Sequence, residues 1–375
     1  MDMGNLFIFF TGSGLTECRN MKNIYLQILD HQSDNSNLVL ATVTRTKGST
    51  PQKPGSSALF GTKGLICGTV GGGVVEGRVG KIALEAMDSK KSGHFRFNLA
   101  NDISDKTEAI CGGQIQILID ANLNNHLSVF DQLRKSFDDR IPGVLITMVT
   151  AFTEETVMIN RYWMSDTFTP GMPEEFLSVI GPVVISMLTD GIQSDYREIE
   201  LKIPDEEPSS LFFLEAVFPP AKLIIAGAGH IGRALTHLAD MLDFEVTVID
   251  DRSEYACREN IPEASHLIVD DIGETLKHLT KRDDTYVVIV TRGHKDDAAA
   301  LKPCIGTGLA YTGMIGSKNK IAAMRADFLK NGWSTDKQWE AVYTPIGIDI
   351  NSKTIEEIAI SIAAQLVLVR NSNKK

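Results

Sequence analysis

The stretch KLIIAGAGHIGRAL, residues 222–235, limits the fold of this chain more than any other. An apolar, β-branched run enters a G-x-G-x-x-G turn at Gly227, Gly229 and Gly232, and the turn passes directly into the helix-forming HIGRALTHLADML. Strand, glycine turn and helix in that order are what a phosphate-binding βα unit requires. Gly227 permits the tight turn, Gly229 lets backbone approach a phosphate, and Gly232 lets the helix pack on the strand. The helix start then presents N–H groups and a partial positive charge to an anion. Downstream, EVTVIDD, SHLIVD, TYVVIVTRG and LAYTGMIG read as further strands with helices between them. Apolar strands alternating with helices predict a parallel, doubly wound sheet of Rossmann-like kind. A last helix is expected from about Ile355, opened by a capping box of Thr354 and Glu357.

A chain of 375 residues is too long for one ordinary core. The Pro219-Pro220 pair marks the boundary, because neither residue continues a strand ladder. Residues 1–20 are then an extension outside the fold, 21–218 an N-terminal α+β domain with a mixed sheet, and 219–375 the Rossmann-like domain. In the N-terminal part a short helix from Met21 precedes the strand LVLATVTRT, and short strands follow around 57–60 and 65–67. Val79 to Met87 reads as a helix, HFRFNLA and QIQILID as strands, 121–140 as helical, and VLITMVTAF with ETVMINRYWM as a hairpin. Residues 165–210 carry no clear pattern.

The N-terminal part has its own glycine concentration. Nine of the thirty residues from Gly48 to Gly77 are glycine, against an average near ~7%. Gly71, Gly72 and Gly73 admit positive φ and let a ligand come close to backbone. Glu76 either caps the helix that follows or accepts hydrogen bonds from a ligand's amino and ring N–H groups. Cys111, followed by Gly112 and Gly113, places a thiol in an open loop; as a thiolate it is a metal ligand or a sulfur acceptor, and as a thiol an inert core residue.

In the C-terminal part, His230 follows the second fingerprint glycine and would face a phosphate. Asp250 ends the second strand, where a carboxylate receives a ribose diol. TRGHKDDAAAL places Thr291, His294 and Asp297 at the carboxyl end of a central strand, the ligand edge of such sheets. For each histidine the competing reading is a loop or cap residue with no chemistry. Gly316, Ser317 and Lys318 form either a second anion nest or a solvated helix start.

A net charge of −11 argues against non-specific binding to nucleic acid or an anionic membrane. Five scattered cysteines without a CxxC pair argue against a disulfide framework, so a reducing cytoplasm is the expected compartment. No apolar run reaches the ~20 residues of a membrane span.

TRTKGSTPQKPGS, ICGTVGGGVVEG, AICGG, LIIAGAGHIGRAL with VIDDR, TRGHKDDAAAL, AYTGMIGSKNK and TPIGIDINSKTIEEIAISIAAQ follow one another in this order. Together they resemble the XdhC/CoxI family, accessory factors for xanthine dehydrogenase and related molybdenum hydroxylases. The resemblance implies a protein that binds the molybdenum cofactor (molybdopterin), a phosphorylated pyranopterin dithiolene. It would protect that cargo while the metal acquires a sulfido ligand from a cysteine desulfurase, and then pass it to the apo-hydroxylase. By motif, Cys111 becomes the residue at the metal, Gly71, Gly72, Gly73 and Glu76 the first glycine signature, and Gly227, Gly229, His230 and Gly232 the second. Some members carry a cysteine where this chain has Val74, which argues against a two-thiol mechanism here, and a second basic residue where it has Asn319, which implies weaker phosphate affinity from that loop. A maturation chaperone fits better than a turnover enzyme, and a helix apolar on more than one face suggests a homodimer. The rival reading is an NAD(P)-dependent oxidoreductase with residues 21–218 as its substrate domain.

Overall fold

The computed structural model describes residues 23–31, 37–99, 113–153, 156–189, 196–201 and 210–372. Cys111, Gly112 and the 1–20 extension lie outside the described residues. The chain divides into two compact units that meet in sequence at Phe218 and Pro219.

The first unit contains α1 (Ile24–His31), β1 (Val39–Lys47), β2 (Ser57–Gly61), β3 (Gly64–Gly68), α2 (Gly73–Ser89), β4 (Gly93–Asn98) and β5 (Gln114–Asp120). It continues with α3 (Leu127–Asp138), β6 (Gly143–Thr153), β7 (Thr156–Ser165), α4 (Glu174–Thr189), β8 (Tyr196–Leu201) and β9 (Ser210–Val217). One sheet runs β3-β2-β1-β5-β4 and the other β7-β6-β9-β8. Every pairing among the described residues of this unit is antiparallel, a more uniform arrangement than the mixed sheet expected. Short hairpins such as β2/β3 and β6/β7 enforce it, since parallel neighbours need long crossovers.

Alternation along β1 divides the core. Val39, Ala41 and Val43 face α2, with Val79, Ala83 and Met87. Leu38 and Leu40 face the other way, toward Tyr25, Phe130, Leu145 and Trp163. A period of two in one strand thus serves two cores.

Two elements depart from the sequence reading. α2 starts at Gly73, six residues before Val79, so the glycine tract is the helix N-terminus. α4 fills part of the stretch that had no pattern. Its Gly181-Pro182 pair reads as a break, yet Pro182 is exposed on an otherwise continuous helix that buries Phe176, Ile180, Val184 and Met187. Tertiary packing overrides the local signal there.

The second unit holds β10 (Lys222–Ala226), α5 (His230–Met241), β11 (Glu245–Asp250), β12 (His266–Val269), α6 (Ile272–His278) and β13 (Thr285–Ile289). After these come α7 (His294–Leu301), β14 (Tyr311–Met314), α8 (Lys318–Lys330), α9 (Asp336–Glu340) and α10 (Ile355–Ser372). The five strands are parallel in the order β12-β11-β10-β13-β14, a Rossmann-like sheet.

Its apolar strands still alternate. Leu223, Ile225, Val246 and Val248 pack under α5 and α10. Ile224, Ala226, Ile249 and Val287 pack against Leu276, Leu301, Phe328 and Trp339 on the opposite face. α10 is capped at its start and tied to the α5–β11 turn near its end. Thr354 Oγ1 accepts from the Glu357 N–H (3.2 Å) and Glu357 Oε2 from the Thr354 N–H (3.0 Å), the expected capping box. Near its end, Arg370 donates to the Leu242 carbonyl (2.7 Å) and lies over the Phe244 ring.

Candidate functional site

In the first unit the candidate site is built on the start of α2. Gly71, Gly72 and Gly73 have φ of 143°, 65° and 52°, a run that L side chains rarely adopt. A Cβ at Gly71 would lie 2.9 Å from Pro51, whereas at Gly72 and Gly73 it would meet nothing within 4 Å. The bare backbone of those two residues therefore faces open space at the positive end of a 17-residue helix.

Glu76 holds this turn from inside. Its Oε2 accepts from Thr69 Oγ1 (2.7 Å), and that hydroxyl oxygen in turn accepts from the Gly71 N–H (3.2 Å). Of the two readings for Glu76, the geometry gives it a loop-locking bond at the helix start. Gly113 is packed equally closely: a Cβ there would lie 2.3 Å from the Ser49 carbonyl oxygen and 2.8 Å from that of Lys47. Its carbonyl accepts from the Leu99 N–H (2.9 Å). The residue two places after Cys111 is thus fixed against the segment 47–50.

In the second unit the fingerprint turn joins the carboxyl ends of β10, β11 and β13. The Gly227 N–H donates to the Ile249 carbonyl (2.8 Å) and the Val290 N–H to the Ala226 carbonyl (2.9 Å). A Cβ at Gly227 would approach Val290 O to 2.5 Å, and one at Gly232 would approach Gly227 O to 1.9 Å. Gly229, by contrast, faces open space, and His230 beside it is exposed. The turn has the close helix packing and open middle that phosphate approach requires.

Around this turn the predicted residues separate into inward and outward groups. Asp250 is buried, and its carboxylate accepts from the Ala228 N–H (2.7 Å) and from Arg252. Those hydrogen bonds hold its pKa below the ordinary range against the opposing effect of burial, the largest single influence. Asp297 is fully buried: Oδ1 accepts from Thr291 Oγ1 (2.5 Å) and Oδ2 pairs with Lys320. Thr291 and Asp297 therefore brace the loop after β13 against the start of α8.

Outward-facing residues include His294, whose Nε2 is 3.9 Å from Asp327, and the exposed Ser317 and Lys318. Ser317 caps α8 by accepting from the Lys320 N–H (3.4 Å), with Gly316 just before it. Sequence reasoning passed over Arg252 and the role of Lys320. Both lie in motifs already singled out, VIDDR and GSKNK, but only packing shows which carboxylate each meets.

Asp250, Asp251, Asp271, Thr291, Arg292 and Asp296 line a small, open cavity of about 50 Å³ beside the turn. Among the described residues no three His, Cys, Asp or Glu side chains come together as a metal site. No helix among them is long and apolar enough to cross a membrane.

Residues 223–366 match the XdhC Rossmann domain, and residues 31–98 match the XdhC and CoxI family. The chain belongs to the XdhC/CoxI family. It is 24% identical over 352 residues to a probable xanthine dehydrogenase subunit of Bacillus subtilis (strain 168), covering 93% of this chain and 98% of that protein. It is also 22% identical over 351 residues to the uncharacterized protein YqeB of Escherichia coli (strain K12). That match covers 93% of this chain and 47% of YqeB, so the chain spans about half the length of that relative. A crystal structure of a xanthine dehydrogenase from Bacillus halodurans superimposes with a TM-score of 0.72 at 25% identity. It covers 93% of this chain and 96% of the other.

Proposed function

We propose that this chain is an accessory factor of a xanthine dehydrogenase-type molybdenum hydroxylase, binding the molybdenum cofactor as cargo for sulfuration and delivery. One observation carries the reading: the open backbone of Gly72 and Gly73 at the start of α2, inside the stretch matched by the XdhC and CoxI family. Bare N–H groups at a helix start suit the polar edge of a flat heterocycle or its anionic substituents. The names of the Bacillus relatives support the choice of client.

The residues divide the work by chemistry. The Gly227–Gly232 turn receives a phosphate, with His230 beside it at the start of α5. Glu76 and Thr69 keep the first glycine turn in its open shape, so that binding costs little reorganisation. Cys111 supplies a soft thiol suited to a molybdenum–sulfur centre rather than a hard cation. A cysteine desulfurase would provide the sulfur, a homodimer would be the working unit, and the cytoplasm the compartment.

The test mixes purified chain with isolated molybdenum cofactor and follows molybdenum and pterin absorbance through gel filtration. Stoichiometric co-elution is expected. Cys111→Ala should keep binding yet lose sulfuration when desulfurase and cysteine are added. No co-elution would remove the cargo reading.

A further inference from the structure

In parallel sheets of this kind the carboxylate closing the second strand accepts the two ribose hydroxyls of a dinucleotide. In this chain that carboxylate is already full. Asp250 Oδ1 accepts from the Arg252 N–H (3.1 Å) and from Arg252 Nε (2.8 Å). Oδ2 accepts from the Ala228 N–H (2.7 Å) and from Arg252 Nη2 (2.9 Å). An ionised carboxylate offers about four lone-pair sites, and four donors occupy them.

Arg252 is itself held in place. Its guanidinium carbon lies 3.7 Å from the centre of the Tyr255 ring, and its Nε lies 3.8 Å from Asp251. The Arg252 side chain is 19% exposed and that of Asp250 is 2% exposed. A ribose diol would have to displace a two-pronged guanidinium–carboxylate pair, in which both partners are charged, with hydroxyl donors that carry no charge. The neighbouring Asp251 is also paired, since Arg292 Nη2 donates to both of its carboxylate oxygens (3.0 and 2.9 Å).

We propose that Arg252 determines the specificity of this site: by filling Asp250 it closes the position that reads a ribose diol, while the adjacent turn stays open to a phosphate. The site then takes a phosphate ester whose organic part needs no diol acceptor, and it does not favour a nicotinamide dinucleotide. This rests on reading the Gly227–Gly232 turn as a phosphate site, but not on the identity of the cargo.

The test is calorimetric titration of the full chain with pyrophosphate, ADP and 2′,3′-dideoxy-ADP. The wild-type chain should bind the two nucleotides within twofold of each other, or neither measurably. Arg252→Gln and Arg252→Ala, checked for folding by circular dichroism, should favour ADP over the dideoxy compound at least tenfold. Adding Asp250→Asn to Arg252→Gln should abolish that preference. A tenfold preference for ADP in the wild-type chain would overturn the proposal and pass diol reading to Asp251, Asp271 or Asp296. A folded Arg252→Gln chain that binds pyrophosphate but prefers neither nucleotide would overturn it equally. If pyrophosphate binds no variant, the phosphate site itself fails and this assignment goes with it.

Discussion

The two units bury charge in opposite ways. In the first, polar groups lie between the sheets. Arg161 and Asp120 form an ion pair at 3.0 Å with side chains 2% and 1% exposed, and Arg161 also donates to Thr147. Tyr25 donates to Glu215 (2.5 Å), and Thr44 bonds His94 (2.7 Å) in the same layer. In the second unit the two sheet faces are packed with apolar side chains, while the buried carboxylates lie beyond the carboxyl edge: Asp250 closes β11, and Asp297 sits in the first turn of α7, after β13. Charge inside a sandwich fixes how its sheets meet, whereas charge at a strand end shapes a surface that a ligand can reach. The first arrangement should therefore register mainly as stability and the second as selectivity.

The sharpest way to break this contrast is Arg161→Ala, which leaves Asp120 buried and unpaired. We expect a loss of about 3–5 kcal/mol in urea unfolding. Replacing both partners with apolar residues of similar volume should cost far less, and an equal cost would mean that the pair does more than compensate its own burial.

Next comes Gly232→Ala, whose new methyl would fall 1.9 Å from Gly227 O. Forcing the turn apart should cost about 1–3 kcal/mol. Gly229→Ala meets open space and should stay within about 0.5 kcal/mol while weakening phosphate binding. Equal losses in the two variants would mean that the middle of the turn is structural.

Acid should weaken the first unit. Burial, together with Arg45 and Arg96, lowers the His94 pKa to about 4; burial and Arg161 bring His126 to about 4, although Asp120 opposes the shift. In the unfolded chain both titrate near pH ~6.5. Between those values the unfolded state binds more protons, so stability is full above about pH 6.5 and falls as the pH drops toward 4. Melting temperature against pH should show this slope, and His94→Gln with His126→Gln should flatten it. An unchanged slope would move the acid sensitivity elsewhere.

A more local effect is that of Thr354→Ala, which removes the side-chain half of the capping box and should cost about 1 kcal/mol. Thermal unfolding followed by circular dichroism would detect it.

The second unit was far more legible than the first. Strand, turn and helix from Lys222 to Met241 are encoded within one short segment, and the capping box at Thr354 is equally local. The order β3-β2-β1-β5-β4 depends on pairing Leu40 with Asp120 across eighty residues of sequence, which no local pattern announces. α4 escaped because its Gly181-Pro182 pair mimics a break and its exposed face carries Val179 and Ile185, so no polar stripe marks it. At the site, the glycines were readable because each answers to its own backbone. Asp250 and Asp297 were readable as positions but not as partners, since Arg252 and Lys320 reach them only once the helices have packed.

The way α10 closes the parallel sheet bears on how the protein is made. Ala359, Ile362, Leu366 and Val369 complete the core above β10 and β11. A nascent chain must therefore emerge from the ribosome at least as far as Val369 before the second unit can shut out water. The antiparallel sandwich, whose last strand ends at Val217, can condense well before that. Translation should thus pass through a stage in which a finished first unit trails an open sheet, and chaperone capture is most to be expected at that stage.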